Sequence, residues 1–440
     1  MSILFEVDSL SDEIKRRVTD ELEFRPTVKK SFMKGKFGGG SSSSQGKPVY
    51  PYHITEDDRQ VYLPYAWSRV NVEGCLPPPK SAYMPVSMPY VGQLRGGQAE
   101  VKGEIIRLLN ETGSVKLAFY PGFGKTSLSV FLASKIGLRV AVITHRIVLM
   151  EQWKKSFERF CPESRVKILK PGKPILEDDQ VVILNAENVE KFGHVFSSFG
   201  LVIVDEIHCI ATESMIKSLF YFTPKYLIGL SATPTRPDGM DALLDVYFGH
   251  NTLHKKLYRR HTYYQVKTGM EPEISCKADG TVDWNSLLVW QGSCPERNTQ
   301  ILQIIDHFKE RHFLVLCKRV AQAEILEKAL VERGERVCVL TGDNNDLDES
   351  ARIVIASLQK VGVGFSHDIL DALIIAGDME EYFVQYLGRV MRTEEVEPVV
   401  FDLVDDHSTC KRHFTTRKKI SQEAGGTIRD FRKDFPEVLA

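Results

Sequence analysis

This 440-residue sequence predicts an α/β fold of two tandem domains, each a parallel sheet flanked by helices, and three observations carry the prediction. Short apolar, β-rich runs alternate with amphipathic stretches, the alternation occurs in two separate series, and a glycine-rich loop follows the first run. In the first series Val115 to Phe119, Arg139 to Thr144, Val181 to Leu184, Leu201 to Asp205 and Tyr226 to Leu230 read as buried strands. In the second, Phe313 to Cys317, Val337 to Thr341, Arg352 to Ser357, Ala372 to Ala376 and Val399 to Leu403 do the same.

The remaining segments differ in texture. Residues 1–49 read as a disordered or linker-rich N-terminus, because Gly38 to Gly46 is almost pure Gly/Ser. Residues 50–91, with Tyr52, Tyr62, Tyr65, Trp67 and Pro77 to Pro79, read as a small irregular accessory module, so a chain truncated before Tyr90 is expected to fold. The two α/β domains are placed at 92–250 and 296–408, with 251–295 as linker and insertion holding the basic cluster Lys255 to Arg260. Residues 409–440 read as a basic tail, since Lys411 to Lys433 carries eight Lys/Arg against two acids.

Composition sets wider bounds. With 43% hydrophobic and 26% charged residues the chain can bury large cores. No apolar run reaches the roughly 18 residues of a membrane span, and the acidic start (Glu6, Asp8, Asp12, Glu13) is unlike a secretory leader, so an intracellular, membrane-free protein is expected. The eight cysteines contain no C-x-x-C pair, which supports neither a zinc ribbon nor a disulfide framework. A net charge of −1 provides no global pull on nucleic acid, so such binding needs local basic surface.

The loop after the first strand, Phe119 to Ser127 (FYPGFGKTS), is built for phosphate. Gly122 and Gly124 let the backbone approach an anion, and Phe123, Thr126 and Ser127 lie where N–H groups and a helix N-terminus meet it. Lys125 neutralises terminal-phosphate charge and Thr126 can hold Mg²⁺, so ATP and Mg²⁺ are the expected cofactors. Phe119 stands where the usual pattern has glycine. Eighty residues after Lys125 a strand ends in Asp205-Glu206-Ile-His208: Asp205 is placed to complete the Mg²⁺ shell and Glu206 to polarise water for in-line attack.

These residues resemble superfamily 2 helicases and translocases, whose second motif is Asp-Glu-x-His. The resemblance spans residues 92–408 and implies two RecA-like domains. Within it Arg95 and Gln98 of Leu94 to Gln98 take the adenine-reading role, and Thr144 and Arg146, followed by Leu149, Gln152 and Trp153, contact the nucleic-acid backbone, as Thr341 and Gly342 do. Ser231, Ala232 and Thr233, with His208 and Gly364, couple hydrolysis to domain movement. Gln385 to Arg392 fits Gln-x-x-Gly-Arg-x-x-Arg: Gln385 orients water or phosphate, while Arg389 and Arg392, one turn apart on a helix face, reach the γ-phosphate on closure. Arg297 and Asn298 resemble the approach to the second domain.

One motif departs from the family. Where Glu-Gly-x-Asp is usual, this chain has Val363, Gly364, Phe365 and Ser366, so coupling or ribose binding is expected to differ, with His367 and Asp368 the nearest substitutes. Within the superfamily the motifs look most like repair translocases and the transcript-release helicases of large DNA viruses, which implies a monomeric, ATP-driven motor in the nucleus or cytoplasm of a host cell. Transcription or replication proteins are the implied partners of the N-terminal module. DNA is favoured over RNA as the polymer. An RNA helicase and a non-catalytic recruitment factor are the alternatives, the second opposed by the intact Lys125, Asp205, Glu206, Arg389 and Arg392. Trp284 and Trp290 read as core, and His250, His254 and His261 as surface.

Overall fold

The computed structural model describes residues 1–26, 47–75, 78–192, 196–210, 212, 215–232, 239–277, 283–342, 344, 346–362, 367–380, 383–392 and 396–439. The chain divides into two compact units, Met1–Phe119 with Phe123–Lys255, and Tyr120–Gly122 with Lys256–Ala440. The Gly38 to Gly46 tract lies outside the described residues, as do Thr233, Val363, Gly364, Phe365 and Ser366.

The first unit opens with β1 (Ser2–Glu6), β2 (His53–Ile54) and β3 (Gln60–Pro64), an antiparallel sheet in the order β1-β3-β2. The N-terminus is therefore structured where linker was expected: β1 is followed by a helix over Asp12–Glu21, capped by the Ser11 side chain. The module built this way is not an appendage. Met1, Val49, Tyr62 and Tyr65 belong to the same apolar cluster as Ile143, Val204 and Phe248 of the main sheet and its helices.

That main sheet has seven parallel strands: β4 (Ser114–Phe119), β5 (Val140–Thr144), β6 (Val166–Ile168), β7 (Val181–Asn185), β8 (Leu201–Val204), β9 (Tyr226–Ser231) and β10 (Thr252–Lys255). Their order is β10-β4-β9-β8-β5-β7-β6. Every residue of β4, β5, β7 and β8 is buried, as an all-parallel sheet covered on both faces requires. The order also sets the site, because β4, β9, β8 and β5 are neighbours and whatever follows their carboxyl ends is gathered at one edge.

The second unit repeats the plan with β11 (His261–Lys267), β12 (Phe313–Cys317), β13 (Val337–Leu340), β14 (Ile353–Ser357), β15 (Ala372–Ile375), β16 (Val399–Val404) and β17 (Gly426–Asp430). All pairs are parallel, in the order β13-β14-β12-β15-β16-β11-β17. Side chains alternate between two apolar layers: Leu314 and Leu316 of β12 face one, Phe313, Val315 and Cys317 the other.

Four sequence expectations are corrected here. The segment read as linker supplies β10 to the first sheet and β11 to the interior of the second. The segment read as a basic tail is a helix over Ser408–Glu423 followed by β17, the sheet's edge strand. His261, read as surface, is buried, with Nδ1 on the Arg259 carbonyl (2.8 Å) and Nε2 on Ser421 Oγ (2.7 Å). Trp284 and Trp290 are half-buried rather than core.

Candidate active site

The phosphate loop bridges β4 and the helix Lys125–Ile136. Gly122 (φ 91°) and Gly124 (φ 87°) take the left-handed backbone that favours glycine, and a methyl group on Gly124 would run into the Gln98 amide. The Lys125 ammonium donates to the Phe119 carbonyl at 2.9 Å, folded over the loop it would serve. The anomaly at Phe119 has a packing reason: its ring is buried, 4.5 Å from the ring of Phe123. Thr126 and Ser127, half-buried, begin the helix behind them.

Gln98 is buried, and both ends of its amide are taken up by the chain. Its Nε2 donates to the carbonyls of Phe123 (3.0 Å) and Gly124 (3.1 Å) and to Ser127 Oγ (3.1 Å), while its Oε1 accepts from the Arg95 N–H (3.0 Å). In this arrangement Gln98 braces the phosphate loop; Arg95 lies exposed beside it.

Asp205 and Glu206 follow β8 directly. Asp205 is buried, and its Oδ2 accepts the indole N–H of Trp153 at 2.9 Å. Burial, then the neighbouring Glu206 charge, push the Asp205 carboxyl up to about 6, while the Trp153 bond and Lys125 oppose the shift. Glu206 has φ 50°, one of two non-glycine residues with positive φ among those described. Holding that backbone costs on the order of 1–3 kcal/mol, and such strain gathers at functional sites. Two residues on, His208 Nδ1 lies 2.9 Å from Ser231 Oγ at the end of β9 and 3.5 Å from Glu206 Oε2. The Asp-Glu-x-His and Ser-Ala-Thr elements are thus joined through one imidazole.

Asp205 carboxylate and Thr126 hydroxyl are hard oxygen donors of the kind Mg²⁺ takes. No cluster of three or more His, Cys, Asp or Glu suited to a metal occurs among the described residues.

At the end of β5 the Thr144 hydroxyl donates to the Arg146 carbonyl (3.1 Å), and Arg146 stands exposed at the start of the helix Ile147–Phe160 with Ile147 and Val148 exposed after it. Leu149 and Trp153, expected to contact nucleic acid, are instead buried on the inner face of that helix. His145, between Thr144 and Arg146, is pushed down to about 4 by burial, with Arg146 and His208 adding to it.

In the second unit Gln385 lies on a short helix, Phe383–Leu387, which ends before the arginines. Gly388 closes it, the next N–H groups bond three residues back (Arg389 to Tyr386, Val390 to Leu387), and Arg389 and Arg392 occupy the turn beyond. The expectation of two arginines on one helix face is corrected accordingly. Arg392 pairs with Asp368 at 3.0 Å. Thr341 and Gly342 (φ 54°) form the turn after β13.

The segment leading to that helix is gripped by buried polar groups that sequence reading missed. Arg417 donates to both oxygens of Asp402 (2.8 and 2.9 Å), to Asp378 Oδ1 (2.8 Å) and to the Met379 carbonyl. His413 Nδ1 meets Asp378 Oδ2 at 2.6 Å. Gln291 accepts the Asp378 N–H (2.9 Å) and donates to Asp405, which Arg297 also binds. Arg297 and Asn298 are therefore buried framework, with Asn298 donating to the Gly292 carbonyl.

Two parallel α/β units, with a phosphate loop, strand-end carboxylates and a linked serine–histidine pair in the first, define a two-domain nucleotide-driven enzyme. Comparison with known proteins supplies the family. Residues 92–236 match the model of the type III restriction enzyme res subunit. The chain is 36% identical to "Putative helicase 161L" of Invertebrate iridescent virus 6, over 88% of this chain and 94% of that one, and 33% identical to "Putative helicase 055L" of Frog virus 3 over 85% and 87%. It is 24% identical to "Putative ATP-dependent RNA helicase L396" of Acanthamoeba polyphaga mimivirus, over 96% and 84%. Among solved structures, S. cerevisiae Dbp5 bound to RNA and ADP BeF3 matches the fold with a TM-score of 0.54 and 13% identity, over 78% of this chain and 93% of that one. The chain belongs to the superfamily 2 helicases of large DNA viruses and is an ATP-dependent helicase. None of its described helices is long and apolar enough to cross a membrane.

Proposed function

We propose that the protein hydrolyses ATP to move along or unwind DNA, gripping the polymer through backbone contacts that do not read sequence. The observation that carries this reading is the hydrogen bond of His208 to Ser231, with Glu206 on the same nitrogen, because it links the water-polarising carboxylate to an adjacent strand end. In this reading Lys125 holds the terminal phosphates, Glu206 orients the attacking water, and Thr126 and Asp205 hold Mg²⁺, which supplies charge neutralisation. Gln385 is assigned to orienting water or phosphate, and Arg389 and Arg392 to phosphate charge. Coupling is assigned to His208, Ser231, Ala232, Thr233 and Gly364, and polymer contacts to Thr144, Arg146, Thr341 and Gly342. DNA is favoured because the matching family model is described as a restriction-enzyme subunit. RNA is the second reading, favoured by the printed description of the mimivirus relative.

The test is steady-state ATP hydrolysis at one fixed low salt, with no polymer, single-stranded DNA, duplex DNA or single-stranded RNA. Lys125→Ala, which is expected to lose turnover, serves as the control. Stimulation by DNA above RNA is the expected outcome; the reverse order would install the RNA reading, dependent on 2′-hydroxyl contacts. No turnover with any polymer would contradict both.

A further inference from the structure

The basic cluster between β10 and β11 has no place in the site described above. From Val246 to Met270 the chain carries five Lys/Arg and no Asp or Glu, in a protein whose net charge is −1. Within the second unit, residues 256–260 join β10 to β11 with alternating burial. Leu257 is buried in the apolar layer, whereas Lys256, Tyr258 and Arg260 point outward and are exposed. Tyr258 is 73% exposed, far more than a ring of that size retains when packing is its role.

The ridge is also rigid. Arg259 donates its guanidinium to the carbonyls of Met391 (3.0 Å) and Val396 (2.9 Å), and its backbone N–H to Ala424 (2.8 Å). His261 Nδ1 takes up the Arg259 carbonyl. A methyl group on Gly425 would strike the Arg259 backbone at 2.7 Å, so the strip is seated closely against its neighbours. Lys256, Tyr258 and Arg260, exposed at every second position, set one aromatic ring between two cations. Through Arg259 this strip is tied to Met391, next to Arg392.

We propose that Lys256, Tyr258 and Arg260 form a contact site for single-stranded nucleic acid, in which a base stacks on Tyr258 and the two cations take the flanking phosphates. Every base has a π-face, so stacking is tolerant of sequence, and phosphate contacts make it dependent on salt. The site rests on the reading of the protein as a nucleic-acid motor and adds to it a polymer contact outside the recognised motifs. Because the main chain under the ridge is anchored through Arg259, less backbone ordering is needed when the strand docks.

Fluorescence anisotropy of the full chain with a labelled oligothymidylate, an abasic strand and an oligouridylate of equal length tests it. Tyr258→Ala is expected to weaken binding of both base-bearing strands by about 5- to 100-fold and to leave binding of the abasic strand unchanged, while Tyr258→Phe binds as wild type. Lys256→Ser with Arg260→Ser is expected to reduce the slope of log K against log salt by about 1.4, roughly 0.7 for each phosphate contact. A greater loss for oligothymidylate than for oligouridylate assigns the site to DNA, and the reverse assigns it to RNA. Wild type that binds none of the strands overturns the motor reading and the ridge with it. Wild type that binds while Tyr258→Ala binds the base-bearing strands equally well overturns the ridge alone, as does an equal loss in Tyr258→Phe and Tyr258→Ala.

Discussion

The two units share a sheet plan but hold their candidate chemistry differently. In the first, Lys125, Asp205, His208 and Ser231 sit at or just beyond strand ends and Gln98 in the first turn of the helix Gly96–Thr112, each tied by one or a few hydrogen bonds to backbone, hydroxyl, indole or imidazole. In the second, Arg389 and Arg392 lie in a turn beyond a five-residue helix, and the approach to that helix is fixed by buried ions: Arg417 with Asp402 and Asp378, Arg297 with Asp405. The difference teaches that substitutions in the first site should act on chemistry with modest effects on the fold. Around the second, removing a charge leaves its partner buried and uncompensated, and the fold itself suffers.

The largest expected effect is on the first unit's core: truncation before Tyr90 removes Met1, Val49, Tyr62 and Tyr65 from the main cluster and should leave no soluble folded protein. A truncated chain that melts cooperatively with ATPase intact would return the N-terminal module to accessory status. Next comes Arg417→Met, which strands two buried carboxylates; a loss of about 3–5 kcal/mol is expected, and a melting midpoint lower by on the order of 10 °C. Replacing Asp402 with Asn in the same chain should recover part of it, read by calorimetry.

Smaller effects sharpen the contrast. Trp153→Phe keeps the buried ring but removes the N–H on Asp205, and should lower stability by about 1–3 kcal/mol; an unchanged melting midpoint would show that this bond contributes nothing. The smallest expected effect concerns His145, whose folded pKa of about 4 lies below its ordinary 6.5. A depressed pKa means that the stability it contributes is present above pH 6.5 and is lost as pH falls toward 4, where the buried ring must charge beside Arg146. His145→Gln should flatten the stability curve in that window, measured as urea midpoints between pH 4 and 7.

Legibility from sequence followed locality. Phe313 to Cys317 was read with the bounds it has, because an all-apolar run between breakers is unambiguous. The segments Phe119 to Ser127 and Asp205 to His208 stand out in the sequence because residue type and spacing there are local, and the structure places them at the carboxyl ends of β4 and β8. β11 was not, since His261–Lys267 breaks the polar/apolar alternation at Tyr263 and Tyr264 and lies beside a basic cluster. The buried face of the helix Ser408–Glu423 was hidden by its lysines and arginines, although Cys410, His413, Phe414, Arg417 and Ser421 are buried at helical spacing, a pattern visible in the sequence once charge is set aside. The Trp153 bond to Asp205 and the Gln98 brace join residues 52 and 25–29 positions apart, which no local pattern encodes.

The most direct test of the contrast measures ATP turnover and melting midpoint together on wild type, Glu206→Gln and Arg417→Met. The account predicts that Glu206→Gln loses turnover by on the order of 10²–10⁴-fold at a wild-type midpoint, while Arg417→Met melts markedly lower. Glu206→Gln turning over ATP at the wild-type rate would contradict it.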